Sequence, residues 1–268
     1  MSQSSSNLVA RRPLTFSVVV VLIPVVSMLV LDAGMAATDV PELTGRLAIE
    51  AAFAGYVAFV LTRLAWWREA GFRRPEVPRR LWAAVPLFFL PLIVLAGSGV
   101  EAAPVEQVLE FVLFVILVAF AEEGLVRGIV LRALRPTGLG RAVLLSAAIF
   151  GMGHLANIPA GASVSMTAVQ VLEDTFLGVA FAGLCLYVGS IWPAVVLHAS
   201  LDLADVAGRG FAFPPTQPVA APVLVPIVLT GLCALYGWWL LRHAIGNSAA
   251  DAAGSGAEPY RASSPIGR

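Results

Sequence analysis

The chain is a series of long apolar stretches separated by short polar segments. A helix needs about 20 apolar residues to cross the roughly 30 Å hydrocarbon core of a bilayer. The pattern predicts an all-α, polytopic membrane protein with about eight transmembrane helices. The candidate spans are residues 14–34, 47–67, 81–98, 106–134, 141–156, 164–187, 190–207 and 221–243.

The arginines between these stretches predict how the chain is oriented, because cytoplasmic connections carry an excess of basic residues. Arginines precede the first span, follow the second, separate the fourth from the fifth and end the eighth, whereas the opposite connections carry mostly acids. We therefore expect both termini in the cytoplasm, with a cytoplasmic segment at 1–13 and a membrane domain at 14–246. The remainder, 247–268, is rich in Ala, Gly, Ser and Pro and is expected to be disordered. The arginines that define this pattern are Arg11, Arg12, Arg68, Arg73, Arg74, Arg79, Arg80, Arg132, Arg135, Arg141 and Arg242.

Composition supports lipid as the natural solvent of this chain. Hydrophobic residues make up 59% of the 268 and charged residues 13%, whereas an ordinary soluble domain has roughly 25% charged residues. Mean hydropathy is +0.86. The net charge is zero, so nothing points to a nucleic-acid partner. All 17 basic residues are arginine, and together with the abundant alanine this suggests a GC-rich bacterial source and a place in the bacterial plasma membrane.

Ionisable residues inside the predicted spans point to function, because a charge in hydrocarbon is costly and needs a partner. Two acidic residues in VLEDTFLG, Glu173 and Asp174, have three open interpretations: they line a polar cavity, bind substrate or mark a shorter helix. Three other groups stand out, each in a different span: Glu122, Glu123 and Arg127 in AFAEEGLVRGIV; His154 in IFGMGHLAN, four residues after Phe150; and His198 with Asp202 in LHASLD.

Helical spacing sorts these side chains by face. Glu123 and Arg127 are four residues apart, so they share a face and can form an ion pair. Glu122 is rotated by about 100° from Glu123 and is left out of that pair, which makes it a plausible base if water reaches it. His198 and Asp202 are also four residues apart and share a face of the seventh span.

The three groups are expected at a similar depth in the membrane. At about 1.5 Å of rise per residue, Glu122 lies about 20 Å from Arg135, and His154 lies about 20 Å from Arg141. By the same rise His198 lies about 12 Å from Ser190. On the predicted orientation Arg135, Arg141 and Ser190 lie at the cytoplasmic ends of their spans. Each distance is therefore a depth measured from the cytoplasmic side. The helices are therefore expected to surround a polar intramembrane cavity.

The three groups also resemble the motifs of a known family. Glu122-Glu123-x-x-x-Arg127, Phe150-x-x-x-His154 and His198-x-x-x-Asp202 are similar to the three motifs of the CPBP family. That family joins the type II CAAX prenyl endopeptidases with bacterial Abi proteins, many of them linked to bacteriocin self-immunity. The stretch YVGSIWPAVVLHASLD also resembles the segment that leads into the last motif, and the resemblance covers roughly 105–206.

The resemblance implies an intramembrane endopeptidase and assigns roles to its residues. It implies Glu122 as the residue that activates water, with help from His154. It places His198 and Asp202 near the scissile carbonyl, and it leaves Glu123, Arg127 and Phe150 as supporting residues. The last motif often ends in Asn, and an ionised Asp cannot donate a hydrogen bond as Asn can. Asp202 would therefore be protonated, orient His198 or ligate a metal.

The sequence leaves several versions of the function open. In the metal-free version, which we favour, Glu122 and His154 handle the proton and no cofactor is needed. In a zinc version, His154, His198 and Asp202 bind the metal and Glu122 remains the base. A non-catalytic bacteriocin-immunity protein and a proton-coupled transporter are alternatives from other classes. The expected partners are the lipid bilayer and a membrane protein or peptide substrate, with no nucleic acid.

Overall fold

The computed structural model describes residues 9, 11–35, 37–211 and 224–254. Within them every regular element is helical, which confirms the all-α prediction. A π-helical segment, Gly124–Val130, joins α4 to α5, and 3-10 turns cover Pro78–Ala84, Arg135–Thr137 and His154–Asn157. The α-helices in these residues are α1 (Pro13–Met35), α2 (Glu42–Leu64), α3 (Phe89–Ser98), α4 (Val105–Glu123), α5 (Leu131–Leu134), α6 (Leu139–Gly153), α7 (Val164–Val188), α8 (Trp192–Ala207) and α9 (Leu224–Gly254).

In the part of the chain that the structure describes, six helical segments are long and apolar enough to cross a membrane. The protein is therefore a polytopic membrane protein. The other two predicted spans are helical as well: α4 continues through the π segment into α5, and α8 is 16 residues long. These two carry most of the ionisable residues singled out above, and the total of eight crossings stays a prediction. The six segments are Pro13–Met35, Glu42–Leu64, Pro78–Ser98, Leu139–Asn157, Val164–Val188 and Leu224–Gly246.

One predicted span boundary is wrong, and one predicted span is interrupted. The second helix covers Glu42–Leu64 rather than 47–67, because Ala65 adopts a left-handed conformation with φ of 55° and ends it. The third span is not one continuous α-helix over 81–98, since a 3-10 turn over Pro78–Ala84 leads into α3 at Phe89. Pro86 lies between the two and has no backbone N–H to donate to a preceding carbonyl.

The last helix extends into the segment predicted to be a disordered tail. The last helix continues to Gly254, so residues 247–254 are helical. Their sequence, NSAADAAG, is rich in alanine, which has the highest helix propensity of the amino acids. The rest of the predicted tail, 255–268, lies outside the described residues, as do 221–223 of the last span and most of the N-terminal segment.

Small residues allow α7 to pack closely against the helices on both sides. A Cβ on Gly183 would overlap the backbone of Gly237 in α9, and a Cβ on Gly178 would lie 2.8 Å from Ala147 Cα in α6. Close approach of backbones at small residues is a common mode of helix association in membranes. The packing fixes α7 between α6 and α9. It thereby also fixes the polar middle of α7, which consists of Glu173 and Asp174.

The loop after α2 docks on the turn before α8. Ser190 Oγ donates to Arg73 O at 2.7 Å, and Arg73 Nε donates to Gly189 O at 3.1 Å. These hydrogen bonds fix the point at which α8 begins. They therefore also set the height in the bundle at which α8 presents His198.

We predict that the helical segment from α4 to α5 crosses the membrane. In a background without Cys185 and Cys233, Ala102→Cys and Thr137→Cys should react with a membrane-impermeant maleimide from opposite sides. The arginine pattern places residue 137 in the cytoplasm, so Thr137→Cys should be labelled only after spheroplasts are permeabilised. Ala102→Cys should be labelled in intact spheroplasts, and labelling of both from one side would contradict the crossing.

Candidate active site

The ion pair predicted from the spacing of Glu123 and Arg127 is present. Arg127 Nη1 donates to Glu123 Oε1 at 2.8 Å, and both side chains are fully buried. The backbone differs from the prediction, because residues 124–130 form a π-helix rather than a regular α-helix. π-Helical turns are frequent at functional sites. A Cβ on Gly124 would lie 2.8 Å from Val57 Cγ1, so this glycine lets α2 approach the site.

Glu123 also contacts the histidine of α8. His198 Nδ1 lies 2.9 Å from Glu123 Oε1, the same oxygen that accepts from Arg127. A carboxylate only accepts hydrogen bonds, so Nδ1 carries the proton of this bond. From the sequence, Glu123 is expected to have a supporting role as the partner of Arg127 alone. In the structure it links α4 to α8 and orients the imidazole.

The other ring nitrogen of His198 faces two further carboxyl groups. Nε2 is 3.7 Å from Glu122 Oε2 and 3.5 Å from Asp202 Oδ2. The Glu122 side chain is 25% exposed and the Asp202 side chain 34%, whereas that of Glu123 is fully buried. The structure thus brings Glu122, His198 and Asp202 into one cluster. The carboxyl groups of Glu122 and Asp202 are partly exposed in it.

His154 lies in the 3-10 turn that follows α6. Its Nδ1 is 3.1 Å from Phe150 O and 3.3 Å from Asp174 Oδ2 of α7. His154 and Glu122 line the same cavity, which α1 and α2 close on the other side. The walls of this cavity are mostly apolar. Its charged and amide side chains are Asp32, Arg46, Glu50, Glu122, His154 and Asn157.

Aromatic rings hold the buried guanidinium of Arg127. Its Cζ lies 4.3 Å from the ring centroid of Phe150 and 5.3 Å from that of Phe181. Arg127 Nε and Nη2 have no hydrogen-bond partner within the described residues, and cation–π attraction is stronger where water is excluded. The same two rings lie against His198, with centroids 6.2 and 6.1 Å from its own. Phe150 therefore packs against both Arg127 and His198.

Comparison with known families shows what kind of protein carries this cluster. Residues 104–204 match the family model described as type II CAAX prenyl endopeptidase, Rce1-like. This part of the chain is similar to that family. The matched segment is almost the same as the core predicted at 105–206, and it contains Glu122, His154, His198 and Asp202. No curated protein and no solved structure matches the chain.

The match to the CAAX endopeptidase family model confirms the resemblance seen in the sequence. At the level of the family, this match supports an intramembrane protease of the CAAX type. The matched segment spans α4 to α8, the helices that bring the polar groups together. α1 and α2 lie outside it and contribute the opposite wall of the cavity.

Some side chains near this CAAX-type site were not found from the sequence. Glu50 of α2 lines the cavity, is 8% exposed, and its Oε2 has no hydrogen-bond partner in the described residues. It lies inside the predicted span 47–67, and an ionisable residue in a membrane span points to function, as it does for the other site residues. The sequence leaves the role of Asp174 open, and Phe181 has no sequence signal that separates it from the other apolar residues of α7.

The described side chains of this CAAX-type protein do not form the zinc site considered above. His198 Nδ1 faces Glu123, and His154 Nδ1 faces Phe150 O and Asp174, so Nε2 is the nitrogen of each ring that is left for another ligand. Among the described residues, no three His, Cys, Asp or Glu side chains are grouped so that they could hold one metal ion.

Removing Arg127 alone should destabilise the protein strongly. Arg127→Met would leave the Glu123 carboxylate buried without its guanidinium, and deleting one partner of a buried ion pair costs about 3–5 kcal/mol. The double variant Glu123→Gln/Arg127→Met should recover part of the lost free energy of unfolding, because it leaves no unpaired charge. Denaturant unfolding in detergent measures both, and equal stability of Arg127→Met and the wild type would show that the pair does not hold the cluster together.

Proposed function

We propose that this protein is an endopeptidase that cuts a membrane protein or peptide by a metal-free, glutamate-dependent mechanism. The asymmetry of two adjacent glutamates is the observation that supports this most directly. Glu123 is fully buried and paired, whereas Glu122 is partly exposed, lines the cavity and approaches the ring of His198. One carboxylate builds the site, and the other is available to water.

Glu122 is the proposed base. A water molecule in the cavity beside Glu122 and His154 would give a proton to the Glu122 carboxylate as its oxygen attacks the substrate carbonyl carbon. His154 has its Nδ1 turned to Phe150 O and Asp174, so its Nε2 is the nitrogen left to interact with that water. General acid–base groups placed in this way typically contribute about 10²- to 10⁴-fold to the rate.

His198 is the proposed donor to the oxyanion that forms at the attacked carbonyl. Its Nδ1 is held by Glu123, and its Nε2 lies between Glu122 and Asp202. When Nε2 carries a proton, that N–H can stabilise the negative charge on the carbonyl oxygen. An ionised carboxylate cannot donate a hydrogen bond. We therefore assign Asp202, 3.5 Å from Nε2, to orienting His198.

Collapse of the tetrahedral intermediate completes the proposed reaction. The C–N bond breaks, and the proton held by Glu122 passes to the nitrogen of the leaving amine. A carboxylic acid, which then ionises, and an amine are released. Glu122 returns to its starting state, so one carboxylate serves first as base and then as acid.

The proposed setting is a bacterial plasma membrane with both termini in the cytoplasm, as the arginine pattern predicts. The cavity is lined by apolar side chains of α1 and α2, among them Val21, Val25 and Phe53. Such walls fit a substrate segment that is itself embedded in lipid. A prenylated protein is not expected in a bacterium, so the proposed substrate is an unprenylated membrane protein or peptide.

Glu122→Gln should lower cleavage by at least about 10²-fold, because the amide keeps the shape of the side chain but cannot take the proton. Glu110→Gln is the matched control, since Glu110 is exposed on the same helix and should be dispensable. Proteomics of membrane fractions would compare cells that carry the wild type or either variant. If the wild type and Glu122→Gln give the same peptides, proteolysis is not the function.

Removal of metal should leave cleavage unchanged. The purified protein would be treated with a strong chelator, its zinc content measured, and its rate on a peptide found by the proteomic comparison measured before and after treatment. The metal-free mechanism requires equal rates and no stimulation by added zinc. Stoichiometric zinc whose loss stops cleavage would replace it with the zinc-dependent version of the protease.

A further inference from the structure

The carboxyl group of Asp174 lies beside a histidine that the proposed reaction uses. Asp174 Oδ2 is 3.3 Å from His154 Nδ1, and the two side chains are 17% and 19% exposed. The same nitrogen is 3.1 Å from Phe150 O. The neighbouring Glu173 makes no hydrogen bond or ion pair with the site residues in the part of the chain that the structure describes. The two adjacent acids of α7 therefore differ in their relation to the site.

The surroundings of His154 Nδ1 determine where the ring carries its proton. Phe150 O can only accept a hydrogen bond, and so can an ionised Asp174 carboxylate. A nitrogen that faces two acceptors is stable there only if it carries the hydrogen. Nε2 is then the nitrogen with a lone pair in the neutral ring.

The contact with Asp174 depends on close packing between α6 and α7. A Cβ on Gly151, three residues before His154, would overlap Thr175 Oγ1 and Val171 O. The lack of a side chain at Gly151 lets this part of α7 lie against the end of α6. The polar middle of α7 is thereby brought to the imidazole.

We propose that Asp174 is a positioning residue, which holds His154 with Nδ1 protonated and Nε2 free to accept a hydrogen bond from the attacking water. Glu123 hydrogen-bonds Nδ1 of His198 at 2.9 Å, whereas Asp174 acts on Nδ1 of His154 by charge at 3.3 Å, because its Oδ2 has no hydrogen-bond partner in the described residues. A carboxylate from another helix thus lies beside Nδ1 of each histidine of the site. This inference rests on the proposed function for its catalytic consequence, but the proton position on His154 is a property of the protein alone.

The proton position can be observed directly. The chain has three histidines, so ¹⁵N-histidine labelling of the full chain in detergent gives few imidazole signals, which His198→Gln and His243→Gln would assign. At alkaline pH, where the ring is neutral, the wild type should show His154 with protonated Nδ1 and bare Nε2. Asp174→Asn should shift His154 toward the other tautomer, because the amide can donate to a bare Nδ1. Glu173→Gln is the matched control and should give the wild-type signals.

Kinetics on a cleaved peptide then test the consequence. Asp174→Asn should lower kcat by about 10²-fold with little change in KM, since it affects proton transfer more than binding. Asp174→Glu restores a carboxylate and should recover part of the loss. Glu173→Gln should retain the wild-type kcat and KM.

Several outcomes would overturn the proposal. A wild-type His154 with bare Nδ1 would do so without any variant, which covers the case in which Asp174→Asn fails to fold. Equal effects of Glu173→Gln and Asp174→Asn, or an unchanged kcat in Asp174→Asn, would do so as well. If the wild type cleaves no peptide, the proposed function fails separately, and the tautomer of His154 alone decides whether Asp174 holds the ring.

Discussion

Glu123 Oε1 accepts hydrogen bonds from two side chains at once, the guanidinium of Arg127 at 2.8 Å and the imidazole of His198 at 2.9 Å. A buried charge is costly unless a partner of opposite charge or a hydrogen-bond donor lies beside it. Breaking either contact would leave a charged or polar group without a partner in a low-dielectric interior. The position of α8 relative to the π-helical segment, and the orientation of the His198 ring, both depend on this one oxygen.

The two glutamates of the first motif are neighbours in sequence, yet their surroundings are opposite. Glu123 is enclosed by protein, and the rings of Phe150 and Phe181 close over its partner Arg127. Glu122 is turned by one residue around the same helix and lines the cavity. Adjacent positions can thus supply one carboxylate that meets water and one that does not. The reason is that successive side chains of a helix point about 100° apart.

Much of the fold follows from the apolar pattern, since a helix is the simplest way to satisfy the backbone inside lipid. The errors lie where one residue changes the backbone: Ala65 ends α2 in a left-handed conformation, and Pro86 lies where the third span is interrupted. The π-helix at residues 124–130 was not foreseen, although the pairing of Glu123 with Arg127 was. Glu50 shows a different error, because its position inside an apolar span was visible in the sequence.

The sequence by itself determined the membrane class, the motif segment and the contacts between residues four apart, because spacing along a helix follows from backbone geometry. Only the tertiary structure decided which carboxyl group faces which imidazole. Glu123 and His198 are 75 residues apart, and Asp174 reaches His154 from another helix. Contacts of this kind depend on how closely helices approach at small residues such as Gly151 and on their mutual rotation. No periodic pattern within one helix encodes that relation.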